Sequence, residues 1–240
     1  MRSMIQKWGI TLYVLLLSVH LYAQILGANF STLQLVTKIL LLPLLICFLI
    51  AQESFSKLPN SKWLLIIALF GSFLGDVLLS KEVDNFILGM VAFMTTHIFN
   101  IIYFNKQNGI GQEKSTKFKG FAIFLIAFCV LIFFQLKAAM GGLIYPILVY
   151  MALICSAALM AIHAGGNSKA NLISKLFWLP GMLFFISSDT VLAFNKFSWE
   201  KTGLHIQNIG LVTMLTYGIA QLLLAKGFQL YFKQQAAAQV

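Results

Sequence analysis

The chain has 240 residues, is 60% hydrophobic and only 10% charged, and carries a formal net charge of +10. With a mean hydropathy of +0.87, this composition excludes an ordinary soluble domain, and repeated apolar runs of about 20 residues point to a polytopic helical membrane protein. The positive charge does not imply nucleic acid, because the lysines sit in short connections between apolar runs, where they act as topology signals.

In chain order, Arg2 and Lys7 precede a first apolar run over 10–27. It resembles a signal peptide, but no small-residue cleavage site follows and further apolar runs do, so it is read as a membrane helix that is kept. Further spans are expected at 36–51, 63–80, 86–104, 121–136, 143–163, 176–195 and 206–225, within one membrane domain covering 1–240. The longest loop, basic and polar, runs over 105–119, and the tail from Lys226 reads as an interfacial extension. An all-α fold of eight transmembrane helices follows. On that topology 12 of the 17 lysines and arginines fall on one side, which places both termini in the cytoplasm. The expected location is a plasma membrane, that of a bacterium. Cys47, Cys129 and Cys155 lie inside apolar runs, are odd in number and suit no metal site, so they read as packing residues.

Among seven acidic residues, Asp76 and Asp189 alone lie within apolar spans; Glu53, Glu82, Asp84, Glu113 and Glu200 fall in polar connections. A charged side chain at a helix centre costs about 2.5–3.5 kcal/mol on insertion scales, so each aspartate marks a functional site by default. Each lies about 18 Å from the cytoplasmic end of its span, at the helical rise per residue. Lys38 and Tyr145 begin spans that start on the same outer side, and Asn195 and Lys196 end one there. Polar residues are therefore expected to collect at one level. Pro43 and Pro146 each precede an aspartate span, and the surroundings of the aspartates are alike, which suggests a 4+4 parallel repeat.

Several polar residues share helix faces. Ser72, Asp76 and Ser80 are four apart, while Gly71 and Gly75 form a small-residue pair that admits a close neighbour. His97 shares a face with Asn100, and Thr213, Tyr217 and Gln221 form a stripe that must turn inward. Lys38 either snorkels to the interface or pairs with an aspartate or a lipid phosphate. His20 and His97 lie mid-membrane but His163 and His205 at opposite ends, so no zinc site is expected. There is no Gly-x-Ser-x-Gly elbow and no phosphate-cradling glycine loop.

Four stretches together resemble the YhhN, or lysoplasmalogenase-like, membrane family. They are Gly75-Asp76-Val77-Leu78-Leu79, the run from Phe86 to His97, the run from Gly181 through Ser188 and Asp189 to Asn195 and Phe197, and Tyr217 to Gln221. The stretches from Lys38 to Pro43 and from Tyr145 to Tyr150 also fit, whereas Asn100 stands where the family pattern has an aromatic residue. The resemblance implies a hydrolase of the vinyl ether bond of lysoplasmalogens, releasing a fatty aldehyde and a glycerophospho-ethanolamine or -choline. Asp76 and Asp189 are the expected catalytic pair, with Lys38, Ser72, His97, Tyr150, Ser188, Asn195, Tyr217 and Gln221 binding or supporting. Protonation of the outer alkene carbon, addition of water to the oxocarbenium ion and collapse of the hemiacetal need one protonated and one ionised carboxylate, as in glycosidases, and no metal or cofactor. The partners expected are the lysophospholipid and membrane lipid, not nucleic acid. A proton-coupled transporter or flippase is the competing class, with Pro43 and Pro146 marking broken helices.

Overall fold

The computed structural model describes residues 2–56, 59–80, 82–108, 116–197 and 208–238. Lys81, Glu113, Lys114, Glu200, Lys201 and His205, which entered the reading of topology and site, lie outside the described residues. No strand occurs among the described residues. Long helices, here numbered in chain order, are α1 (Arg2–Leu26), α2 (Ser31–Ala51), α3 (Lys62–Leu78), α4 (Phe86–Asn108), α5 (Thr116–Met140), α6 (Ile144–Ala164), α7 (Leu179–Phe197) and α8 (Ile209–Ala237). A helix satisfies its own backbone polar groups, which an apolar chain in lipid requires.

Among the described residues, six helical segments are long and apolar enough to cross a membrane. One of these, Phe118–Ala164, is a hairpin rather than a rod. The Sγ atoms of Cys129 and Cys155 are 2.9 Å apart, whereas a straight helix would separate them by about 39 Å. The reversal falls at Gly141, whose φ of 53° lies in the left-handed region that favours glycine.

Two expectations need correction. The first helix starts at Arg2 rather than near residue 10, and the Arg2 Nε–H donates to the Ala51 carbonyl at the end of α2 (3.2 Å). Nor is the stretch from Lys226 an interfacial extension, because it continues α8 to Ala237. Phe228, Tyr231 and Phe232 are buried, the first two against Trp178. Their i, i+3, i+4 spacing forms an apolar stripe that outweighs the lysines and glutamines around it.

The prolines do not break their helices. α2 runs through Pro43 without interruption, and Pro146 sits in the first turn of α6, where a backbone N–H has no helical partner in any case. Before α7 the backbone makes a π-helical turn over Ser174–Trp178.

α3 packs closely on α4, α1 on α2, and α7 on α8. Gly71 is what allows α3 so near α4: a Cβ there would lie 2.8 Å from Thr96 Oγ1 and 3.0 Å from the Ala92 carbonyl oxygen. Gly71→Ala should therefore destabilise the fold by about 1–3 kcal/mol, the usual cost of overpacking. Thermal unfolding in detergent would read this as a lowered midpoint; an unchanged midpoint would mean that α3 and α4 are not so closely apposed.

Candidate functional site

Six helices bring polar side chains to one region of the bundle. Asp76, near the end of α3, is 4% exposed. The Tyr217 hydroxyl of α8 donates to its Oδ2 at 2.8 Å, and Lys38 Nζ of α2 lies 3.9 Å from Oδ1. Of the two roles open to Lys38, the structure therefore gives it an aspartate partner. One turn back on α3, Ser72 Oγ accepts from Gln221 Nε2 of α8 (3.1 Å) and lies 3.1 Å from Thr96 Oγ1 of α4. Thr96 donates in turn to the Ala68 carbonyl (2.9 Å). The four-residue spacings 72/76 and 217/221 thus become two facing stripes, each hydroxyl or amide opposite a partner.

Asp189 stands in a second group. The Tyr150 hydroxyl of α6 donates to Asp189 Oδ2. His97 Nε2 of α4 lies 3.3 Å from the same hydroxyl oxygen. With that hydroxyl's proton directed to Asp189, the matching tautomer has Nε2–H donating to the hydroxyl oxygen and Nδ1 as an acceptor. This Nδ1 is buried and has no hydrogen-bond partner among the described residues. Aromatic edges join the two groups: Phe185 packs on His97 (centroids 4.9 Å apart) and on Tyr217 (5.5 Å).

The carboxylates differ in what they face. Asp189 and Tyr150 line a cavity whose empty volume, its open mouth included, is about 800 Å³. Most of the wall is apolar, with Met90, Phe93, Ile132, Ile154 and Ala193 among its residues. Asp76 is not part of that wall; it lies deeper, beside Tyr217 and Lys38.

Not every expected site residue joins the cluster. Ser188 Oγ donates to the Thr213 carbonyl (3.1 Å) and so ties α7 to α8. Asn195 is exposed near the end of α7, away from the aspartates. Conversely, two residues that sequence reasoning passed over belong here. Thr96 completes the Ser72 network, and its position beside His97 was the available signal. Tyr13 is fully buried and donates to the Gly218 carbonyl (3.1 Å), pinning α1 to α8 next to Tyr217. His20 forms a separate group, with Nδ1 2.9 Å from Thr37 Oγ1 and Nε2 2.9 Å from Gln24 Nε2.

The fold and the polar cluster together define an all-helical, membrane-type protein with ionisable groups at its heart. The sequence pattern of the YhhN family matches residues 33–228. The chain belongs to the YhhN family, and the match takes in both aspartates and every partner described for them. No curated protein and no solved structure matches the chain.

Proposed function

We propose that this protein is an intramembrane hydrolase that cleaves the vinyl ether bond of lysoplasmalogen-type lysophospholipids, giving a fatty aldehyde and glycerophospho-ethanolamine or -choline. The observation that carries the reading is the placement of Asp189 and Tyr150 on the wall of an apolar cavity, with His97 behind Tyr150. The apolar wall suits one hydrocarbon chain, and the carboxyl group meets it where a reacting double bond would lie. YhhN family membership is consistent with such an activity.

Asp189 protonates the outer alkene carbon. Water then adds to the oxocarbenium carbon, and the hemiacetal collapses to aldehyde and glycerol alcohol. Tyr150 orients the Asp189 carboxyl group, and His97 holds Tyr150. Asp76, ion-paired with Lys38, supplies a fixed negative charge that stabilises the developing cation through the low-dielectric interior.

In this reading the chain crosses the membrane eight times, with both termini cytoplasmic. The Phe118–Ala164 hairpin provides two crossings, and the 17-residue α3 one more. The hydrogen bonds support a 4+4 repeat. Asp76 of α3 is held from α2 and α8. Asp189 of α7 is held from α6, which is itself held from α4. Exchanging the first four helices for the last four pairs α2 with α6, α3 with α7 and α8 with α4, although α4 reaches Asp189 only through Tyr150. The transporter alternative loses the broken helices it would use, since α2 continues through Pro43 and Pro146 sits in a first turn.

The test is turnover of a lysoplasmalogen in heavy water by the purified protein in detergent, with no ion gradient. One deuterium is expected on the carbon beside the aldehyde carbonyl, the signature of protonation at carbon. Aldehyde without that deuterium would refute the mechanism, and no aldehyde at all would refute the reaction.

A further inference from the structure

Three side chains on the cavity wall also face outward. Cys129, Met151 and Cys155 line the cavity at Asp189, and the same three line a second cleft between α5 and α6, with Val130, Phe133 and Leu148. They are therefore the partition between the two spaces. Cys129 stands on α5 and Cys155 on α6. Both are free thiols, both are partly exposed, and their Sγ atoms are 2.9 Å apart. A disulfide needs about 2.05 Å, so a shift of under about 1 Å would join them.

The surroundings allow such a shift. α5 is the most thinly supported wall of the cavity: Ile123, Phe124, Ile126, Leu131 and Phe134 are each more than half exposed. Its connection to α6 is the Gly141–Gly142 turn, where an added Cβ at either position would meet nothing within 4 Å. The two glycines themselves add no side-chain contact between the helices, although Leu136 and Met140 pack with Ile147 beside the turn.

From this we infer that Cys129 and Cys155 form a reversible disulfide that latches α5 to α6 and holds shut the partition that must part for a single-chain lipid tail to reach the cavity at Asp189 from the outer cleft. The tail as occupant rests on the reading given under Proposed function; the thiol chemistry does not. The oxidant is a low-molecular-weight disulfide, RS–SR. One cysteine thiolate attacks it, breaking the RS–SR bond, forming a cysteine–SR mixed disulfide and releasing the first RS⁻. The second cysteine displaces the other RS⁻. The two cysteine protons end on two RSH molecules, and one protein S–S bond has formed. A dithiol reverses the exchange.

The test uses the full chain with Cys47→Ser, which removes the third thiol. Apolar 2,2′-dithiodipyridine should release two thione molecules per chain and leave no adduct, with mass spectrometry placing the bond between residues 129 and 155. A saturated single-chain ether phospholipid with a diazirine at its tail then reports access. In the reduced protein it should label Met90 and Ile132 inside the cavity. In the oxidised protein that labelling should fall to background and return with dithiothreitol, while Phe133 and Leu148 in the cleft stay labelled. Cys129→Ser and Cys155→Ser proteins should label the cavity whether or not oxidant is present. A lasting mixed disulfide, cavity labelling that ignores oxidation, or no cavity labelling in the reduced protein would overturn the latch. Aldehyde release is followed alongside. If it is absent while labelling responds to oxidation, the hydrolase reading fails and the latch stands. If it continues at full rate in the oxidised protein, the latch fails and the hydrolase reading stands.

Discussion

On the proposed function, Asp189→Asn should lower aldehyde release from a lysoplasmalogen by about 10²- to 10⁴-fold, the range expected for loss of a general acid. The substitution keeps the side chain's size and leaves an oxygen to accept from the Tyr150 hydroxyl, so the cavity should still take a single-chain lipid. What it removes is the transferable proton. The signature is a fall in kcat with little change in KM, since only a transition-state interaction is lost. Photolabelling of the cavity by the diazirine lipid should persist. If the folded variant turned over within about tenfold of wild type, far below a general acid's contribution, Asp189 would not be the proton donor.

Asp76→Asn should act in two ways at once. It removes the fixed negative charge, and it leaves the Lys38 ammonium without its carboxylate partner in the bundle. Turnover should fall by about 10²-fold, as when a preorganised electrostatic stabiliser is lost. The fold should weaken as well, because an uncompensated charge in an apolar setting is costly. A double-mutant cycle separates the two effects. Lys38→Met combined with Asp76→Asn should be more stable than Asp76→Asn alone, with a coupling on the order of 1–3 kcal/mol. Turnover should not recover in the double variant. Additive stabilities would mean that the 3.9 Å contact holds nothing together, and recovered turnover would place the role of Asp76 in stability alone.

How much of this was legible in the sequence follows from what periodicity can express. Residues four apart on one helix must share a face, so the pairing of Ser72 with Asp76 and of Tyr217 with Gln221 needed no structure. The cost of a carboxylate in lipid was enough to single out Asp76 and Asp189. Periodicity says nothing, however, about which face meets which. The Tyr217 bond to Asp76 spans 141 residues of sequence, and the Tyr13 bond to Gly218 spans 205. Nor could the pattern show that Asp189 lines the cavity while Asp76 lies behind it, because that depends on how six helices are arranged. The end of α8 was misjudged because Lys226, Lys233 and several glutamines lower its average apolarity. Yet Lys226 Nζ and Gln229 partner each other at 2.8 Å, and Gln229 Nε2 donates to Gln52 Oε1 at 3.1 Å. Polar groups satisfied in this way travel with the buried stripe. Asn195, named for its place near a helix end, is exposed although Phe194 and Phe197 on either side of it are packed against the neighbouring helices.

The brevity of α3 has a consequence for the membrane itself. If it crosses the membrane as in the eight-span proposal, its 17 residues cover about 26 Å at the helical rise, less than the roughly 30 Å of a bilayer's hydrocarbon. Asp76 is two residues from its end. A helix with this hydrophobic mismatch is accommodated by thinning of the surrounding lipid, at a fraction of a kcal/mol per Å. On that proposal, headgroups and interfacial water would be drawn down toward the turn that follows Leu78, bringing the aqueous boundary of a water-consuming reaction closer to Asp76. The same mismatch makes bilayer thickness a variable of the chemistry: short-chain lipids should favour turnover, and sterol-thickened membranes should slow it.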